Sequence, residues 1–129
     1  MSLKVEKISD PSTFQEAVKI REQVFVIEQK VSKEDEYDQF EESSTHFLAR
    51  MDGKPVGAAR WRYTDKGIKL ERFAVLKEFR GKGVGKSLVE AVLKDIRADS
   101  HAEGKVKYLH AQLDAVPLYS KFGFKKVGE

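Results

Sequence analysis

The sequence predicts a mixed α/β domain, an α+β sandwich in which two long helices alternate with the strands of a largely antiparallel sheet. Three observations point there. Two segments carry apolar residues at three- and four-residue steps, three short apolar segments follow one another through hairpin-type turns, and a glycine-rich stretch joins the last of these to the second helix. The 129 residues hold one domain, 1–129, because single domains usually run to about 100–200 residues.

A first strand is expected from Leu3 to Ile8. Asp10-Pro11-Ser12-Thr13 then offers an N-cap followed by proline at the first helical position. From there Phe14, Ala17, Val18, Arg21, Val24, Phe25 and Glu28 recur at helical spacing, which predicts a helix to about Gln29 with Glu28 on or near its buried face. Ser32 to Ser44 has no period and is rich in acids, so it reads as a loop, either a solvated surface or a lip that attracts a cationic substrate. Three strands follow, Thr45 to Met51, Pro55 to Tyr63 and Ile68 to Val75. Asp52-Gly53-Lys54 and Thr64-Asp65-Lys66-Gly67 separate them, hairpin signals that make an antiparallel meander. Val84, Leu88, Ala91, Val92 and Ile96 mark a second helix from about Gly83 to Ala98. Lys105 to Ala111 is strand-like, Val116 to Lys121 a short helix, and Phe124 to Val127 the start of another strand.

Composition narrows the function. Hydrophobic residues make up 40% of the chain and include 8 Phe, 4 Tyr and 1 Trp, enough to build a core. The net charge is only +3, too balanced to indicate a nucleic-acid partner. The balance conceals an asymmetry, since residues 1–49 carry six basic and eleven acidic side chains and residues 50–129 carry eighteen and ten. With no Cys there is no disulfide, no thiol nucleophile and no Cys-ligated metal, and His46, His101 and His110 lack the spacing of a zinc site. The first ten residues have no signal-peptide apolar run, and no stretch reaches the roughly 18–20 apolar residues of a membrane span, so the expected compartment is the cytosol.

The most informative segment runs from Leu70 through Arg80-Gly81-Lys82-Gly83-Val84-Gly85-Lys86-Ser87, a strand entering a helix whose first turn is glycine-rich. Exposed N–H groups, the positive end of the helix dipole and glycines that allow close approach make an anion site, to which Arg80, Lys82 and Lys86 add charge. A phosphate or pyrophosphate suits it. A Walker A loop would need Gly where Arg80 stands, and the dinucleotide fingerprint lacks its third Gly in either frame.

Arg80-Gly81-Lys82-Gly83-Val84-Gly85 resembles the acetyl-CoA signature of the GNAT superfamily of N-acetyltransferases, Arg/Gln-x-x-Gly-x-Gly/Ala at the start of a helix. Ala111-Gln112 through Ala115, Leu118-Tyr119 and Phe122-Gly123-Phe124 resemble that family's later strand and Tyr-bearing helix. Arg21 to Gln29, Asp38 and His46-Phe47 are similar to its small bacterial YjcF-like and ElaA-like members. Related chains continue past the Gly-Phe strand into a last strand, whereas this sequence stops at Glu129. The resemblance therefore implies a missing strand, or a short tail or partner chain that closes the sheet, with a homodimer among the assemblies to expect.

The resemblance implies acetyl-CoA as co-substrate, no metal, and a small-molecule or peptide amine as acceptor, acetylated by direct attack in a ternary complex. It implies that Arg72-Phe73-Ala74-Val75 splays from the strand at 105–111 and pairs its backbone with pantetheine, an N–H near Phe73 or Ala74 polarising the thioester. Val75, Gly81 to Lys86 and Ser87 complete the cofactor set, with Gln112 near the cofactor arm. Tyr119 corresponds to the Tyr beside the sulfur and is the expected acid. Glu71, on the cofactor strand, is the first choice of base, its alternative being a surface cross-strand partner of Arg60 or Arg62. Glu28 is the second, and either carboxylate could orient the acceptor instead. Trp61, Tyr63 and Tyr37 are candidate linings of the acceptor pocket, against the ordinary role of core aromatics. Two other functions are distinguishable, a CoA-binding regulatory module without turnover and a basic nucleic-acid or phosphate-binding protein.

Overall fold

A computed structural model describes residues 2–28, 30, 43–109, 119, 122 and 124. The strands are β1 (Leu3–Lys7), β2 (Thr45–Met51), β3 (Lys54–Thr64), β4 (Gly67–Val75) and β5 (Lys107–Tyr108), in the spatial order β1-β2-β3-β4-β5. β1 to β4 pair antiparallel and β5 joins β4 parallel, so the sheet is mixed. The meander read from Asp-Gly and Asp-Lys-Gly is present. Asp52 at φ 52° and Gly53 at φ 86° supply the left-handed pair that a two-residue hairpin turn requires.

Two helices cover the sheet. In α1 (Pro11–Arg21) the Asp10 carboxylate accepts from the Thr13 N–H at 2.9 Å, the N-cap that Asp-Pro announced. α2 (Val84–Ala98) buries Val84, Leu88, Val89, Val92 and Ile96. Side-chain alternation puts the helices on opposite faces. Phe47, Trp61, Ile68 and Leu70 pack with α2, whereas Leu48, Ala58 and Ala74 pack with Ala17 and Ile20 of α1 and with Val24 beyond it.

The first helix departs from the expectation at its second half. Past Arg21 the backbone widens into a π-helical segment, Glu22–Glu28, whose hydrogen bonds skip five residues instead of four. The angular step per residue shrinks, so a stripe counted at 3.6 residues per turn leaves the sheet. Val24 stays buried, but Ile27 is 59% exposed and Glu28 is exposed, not on the buried face.

The strand expected at 105–111 is observed at Lys107–Tyr108, and 110–111 lie outside the described residues. So do the acidic 34–42 stretch, Tyr37, His110, Gln112 and most of the expected helix at 116–121 and strand at 124–127. Among the described residues no helix is long and apolar enough to cross a membrane.

Candidate functional site

The glycine-rich stretch lies where β4 hands over to α2. After a 3-10 turn at Lys77–Phe79 the chain passes Arg80 in extended backbone, Gly81 at φ 78° and Gly83 at φ 86°, and the helix starts at Val84. Both glycine conformations are left-handed and would strain a side-chain-bearing residue. A Cβ built at either would have no described heavy atom within 4 Å, so the space over the turn is open. The first N–H groups of α2 have no intrahelical acceptor and point into that space with the positive end of the helix dipole. Gly83 provides no side-chain cap, no acid stands in the first turn, and Lys82 and Lys86 are exposed beside it. This cradle suits an anionic group such as a pyrophosphate.

Arg80 turns elsewhere. Its Nε donates to the Val75 carbonyl at 3.0 Å, and Nη1 and Nη2 each donate to a Glu28 carboxylate oxygen at 2.7 Å. Glu28 therefore stands as partner of the signature arginine. The guanidinium's hydrogen bonds hold the Glu28 carboxyl below its ordinary value of 4.5, which makes it a poorer base than an ordinary glutamate. It borders an open cleft of about 590 Å³ shared with Ile20, Gln23, Ile27, Leu76 and Lys77.

Upstream, β4 carries a bulge. Ala58 pairs with Ala74 and Arg60 with Glu71, so Ala59 on β3 faces two residues, Arg72 and Phe73. Arg72 takes φ 58°, left-handed and unusual for a non-glycine residue. The extra residue reverses the alternation. Leu70 and Phe73 both face the α2 side, whereas Glu71 and Ala74 face the α1 side. Phe73 thereby meets Tyr119 edge to face, with ring centroids 5.9 Å apart, and Phe124 meets it the same way at 6.3 Å. Tyr119 is buried, and desolvation pushes its phenol up to about 12.

On the opposite face Glu71 closes an ion-pair cluster. Its Oε2 accepts from Arg60 Nε at 2.8 Å and Nη2 at 2.6 Å and from Arg62 Nε at 2.7 Å, and Oε1 lies 3.3 Å from Lys69 Nζ. Arg60 is 0% exposed. Burial would raise the Glu71 pKa, but the Arg62 and Arg60 guanidinium groups outweigh it and hold the carboxyl below 4.5. Glu71 is thus the cross-strand partner of Arg60 and Arg62, buried and not at the surface.

A family model described as an acetyltransferase (GNAT) domain matches residues 10–129. The chain belongs to the GNAT acetyltransferase family. YjcF of Bacillus subtilis strain 168, named an uncharacterized N-acetyltransferase, is 45% identical over 114 residues, which cover 88% of this chain and 79% of that protein. Two solved structures share the GNAT fold. Escherichia coli ElaA superposes with a TM-score of 0.83 at 24% identity, over 99% of this chain and 90% of that one. An acyl-CoA N-acyltransferase from Pseudomonas aeruginosa superposes with a TM-score of 0.79 at 23% identity, over 99% and 92%.

Within this GNAT domain the sequence-named residues fall into three groups. Arg80 to Ser87 form one continuous turn, Phe73 and Tyr119 form an aromatic contact, and Glu71 lies across β4 from that contact. Trp61 belongs to the core. It is 3% exposed with Nε1 donating to Asp95 at 3.0 Å. His46 is buried against Phe14, centroids 4.8 Å apart. Gly57 on β3 escaped the sequence reading. A Cβ there would stand 2.9 Å from Val84 Cγ1, 3.0 Å from Leu88 Cδ1 and 3.1 Å from the Ala74 carbonyl, so its bareness lets the first turns of α2 seat on the sheet. A glycine inside a strand pattern was the available signal.

Proposed function

We propose that this GNAT acetyltransferase moves an acetyl group from acetyl-CoA to a primary amine on a small molecule or peptide, by direct attack in a ternary complex. The open, left-handed glycine turn at the α2 N-terminus carries this reading, because its N–H groups with Lys82 and Lys86 suit a pyrophosphate. Acetyl-CoA supplies an activated thioester. Val84, Gly85 and Lys86 bind the pyrophosphate through backbone N–H groups, and Ser87 closes the first helical turn by donating to the Gly83 carbonyl at 3.0 Å. The bulged backbone at Phe73, Ala74 and Val75 lines the pantetheine arm, with an N–H at Phe73 or Ala74 on the thioester oxygen and Gln112 nearby.

In the transfer the amine nitrogen forms the C–N bond as the C–S bond breaks. An alkyl ammonium near pKa 10 must first lose a proton. Glu71, held below 4.5 with both oxygens engaged by Arg60, Arg62 and Lys69, supports the acceptor side of β4 through those partners, and the ammonium proton leaves to solvent water. Tyr119, on the α2 face, donates a hydrogen bond to the departing sulfur. Complete transfer from a phenol at about 12 to a thiolate whose thiol is near 8.5 would be uphill by about 5 kcal/mol, so the sulfur takes its proton from solvent.

Thermal denaturation with acetyl-CoA tests the binding half. A ligand at about a hundred times its Kd adds about 2.7 kcal/mol, a rise of roughly 8–12 °C for a domain of this size. No rise at millimolar acetyl-CoA overturns the reading, as does failure to release thiol on every member of an amine panel that includes a polyamine, an amino sugar, an amino acid and a peptide.

A further inference from the structure

We propose that Glu28 is a positioning residue that acts through Arg80, bracing the cofactor turn against the π-helical segment so that the turn is ready for the pyrophosphate. The proposal rests on the acetyl-CoA reading above. Three nitrogens of the Arg80 guanidinium are engaged by protein acceptors, Nε by the Val75 carbonyl and Nη1 and Nη2 by Glu28. A two-pronged pair of this kind fixes the plane of the guanidinium as well as its place. The pair spans 52 residues of sequence and ties the end of β4 to the last residue of the Glu22–Glu28 segment.

Its position explains the need. Between Val75 and the first turn of α2 the backbone makes one 3-10 turn, with Arg80 N–H donating to the Lys77 carbonyl at 3.3 Å, and then runs through two glycines in left-handed conformation. Glycines have the most conformational freedom to lose, so a turn built from them benefits from an anchor at its entrance. Arg80 is that anchor, and Glu28 directs it to Val75. The anion's own donors, the N–H groups of α2 with Lys82 and Lys86, belong to the far end of the turn. Arg80 therefore shapes the site without needing to touch the phosphate.

Titration of CoA into wild type, Glu28→Gln, Arg80→Gln and the double variant tests this, alongside steady-state kinetics and ligand-free melting. Glu28→Gln is expected to raise both the Kd of CoA and the KM for acetyl-CoA about fivefold, with kcat within about twofold. The two single losses should be alike and the double loss no larger than either, because both remove one brace. The ligand-free melting temperature should stay within about 2 °C, since the pair is exposed. Unchanged CoA affinity in Glu28→Gln overturns the proposal. Tighter binding overturns it too, since Glu28 would then compete with the pyrophosphate for Arg80. Additive losses, or a kcat loss matching the KM rise, reduce the pair to ordinary structure and overturn it. A wild type that does not bind CoA overturns the acetyl-CoA reading itself, and the proposal with it, a result distinct from wild type and variant binding equally.

Discussion

Tyr119 shows how one side chain's surroundings select among the roles open to it. A phenol in edge contact with Phe73 and Phe124 and raised to about 12 stays protonated across the working range and keeps its donor. Tyr119→Phe keeps the ring and removes the donor. It is expected to lower kcat about tenfold with the Kd of CoA unchanged, read by steady-state kinetics beside a CoA titration. Since the raised pKa keeps the proton in place well beyond pH 10, wild-type kcat should show no descending limb from this group up to pH 10. A Tyr119-dependent fall between pH 8 and 10 contradicts the assigned environment. Glu28 teaches the converse. Its residue type suggested a base, and the guanidinium forked onto its carboxylate holds it in the charged form with a lowered proton affinity.

At the scale of the element, two glycines of the same region do different work and should fail differently. Gly83 needs its left-handed φ of 86° and faces open space, so Gly83→Ala costs about 1 kcal/mol in backbone strain and projects a methyl group into the place proposed for the pyrophosphate. Its CoA affinity is expected to fall tenfold or more with modest loss of stability. Gly57 has no such φ but no room, with Val84 and Leu88 at 2.9 and 3.0 Å from the Cβ position. Gly57→Ala should lift α2 from the sheet and cost about 2 kcal/mol, measured by urea unfolding. A larger stability loss at Gly83 than at Gly57 would reverse the assignment. The β4 bulge is the third device of this kind. By inserting one residue at Arg72 it brings Phe73 to the face where Tyr119 lies, while Glu71 keeps the other.

For the molecule as a whole, the Arg60–Glu71–Arg62 cluster joins β3 to β4 inside the α1 face, and its charge state is a term in global stability. Folding lowers the Glu71 pKa below 4.5, so its contribution is fully present above that pH and is lost as pH falls below it. Glu71→Gln leaves Arg60 buried without its anion and should destabilise the fold by about 3 kcal/mol at pH 7. Urea melts from pH 7 to 3 check both points, since the variant should lose less stability than wild type below pH 4.5. Equal acid sensitivity of the two proteins would show that Glu71 is not a titrating contributor.

Much was legible without the structure, and for a physical reason. The element order as far as Tyr108, the meander and the glycine turn depend on local properties, namely apolar period, hairpin turn chemistry and the freedom of Gly81 and Gly83 to take positive φ. The pairing of Glu71 with Arg60 or Arg62 was also within reach, because antiparallel hairpins set their own register. Its burial was not, since that depends on α1 covering the face. The Glu28–Arg80 brace lay further out of reach. A helical period assumed constant put Glu28 against the sheet, whereas the helix widens at Glu22 and Glu28 meets a partner 52 residues away. By itself the sequence determined which segments could fold locally and where an anion could sit. Only the tertiary structure decided which distant charges meet, because side-chain pairing across elements is set by packing geometry that no local pattern records.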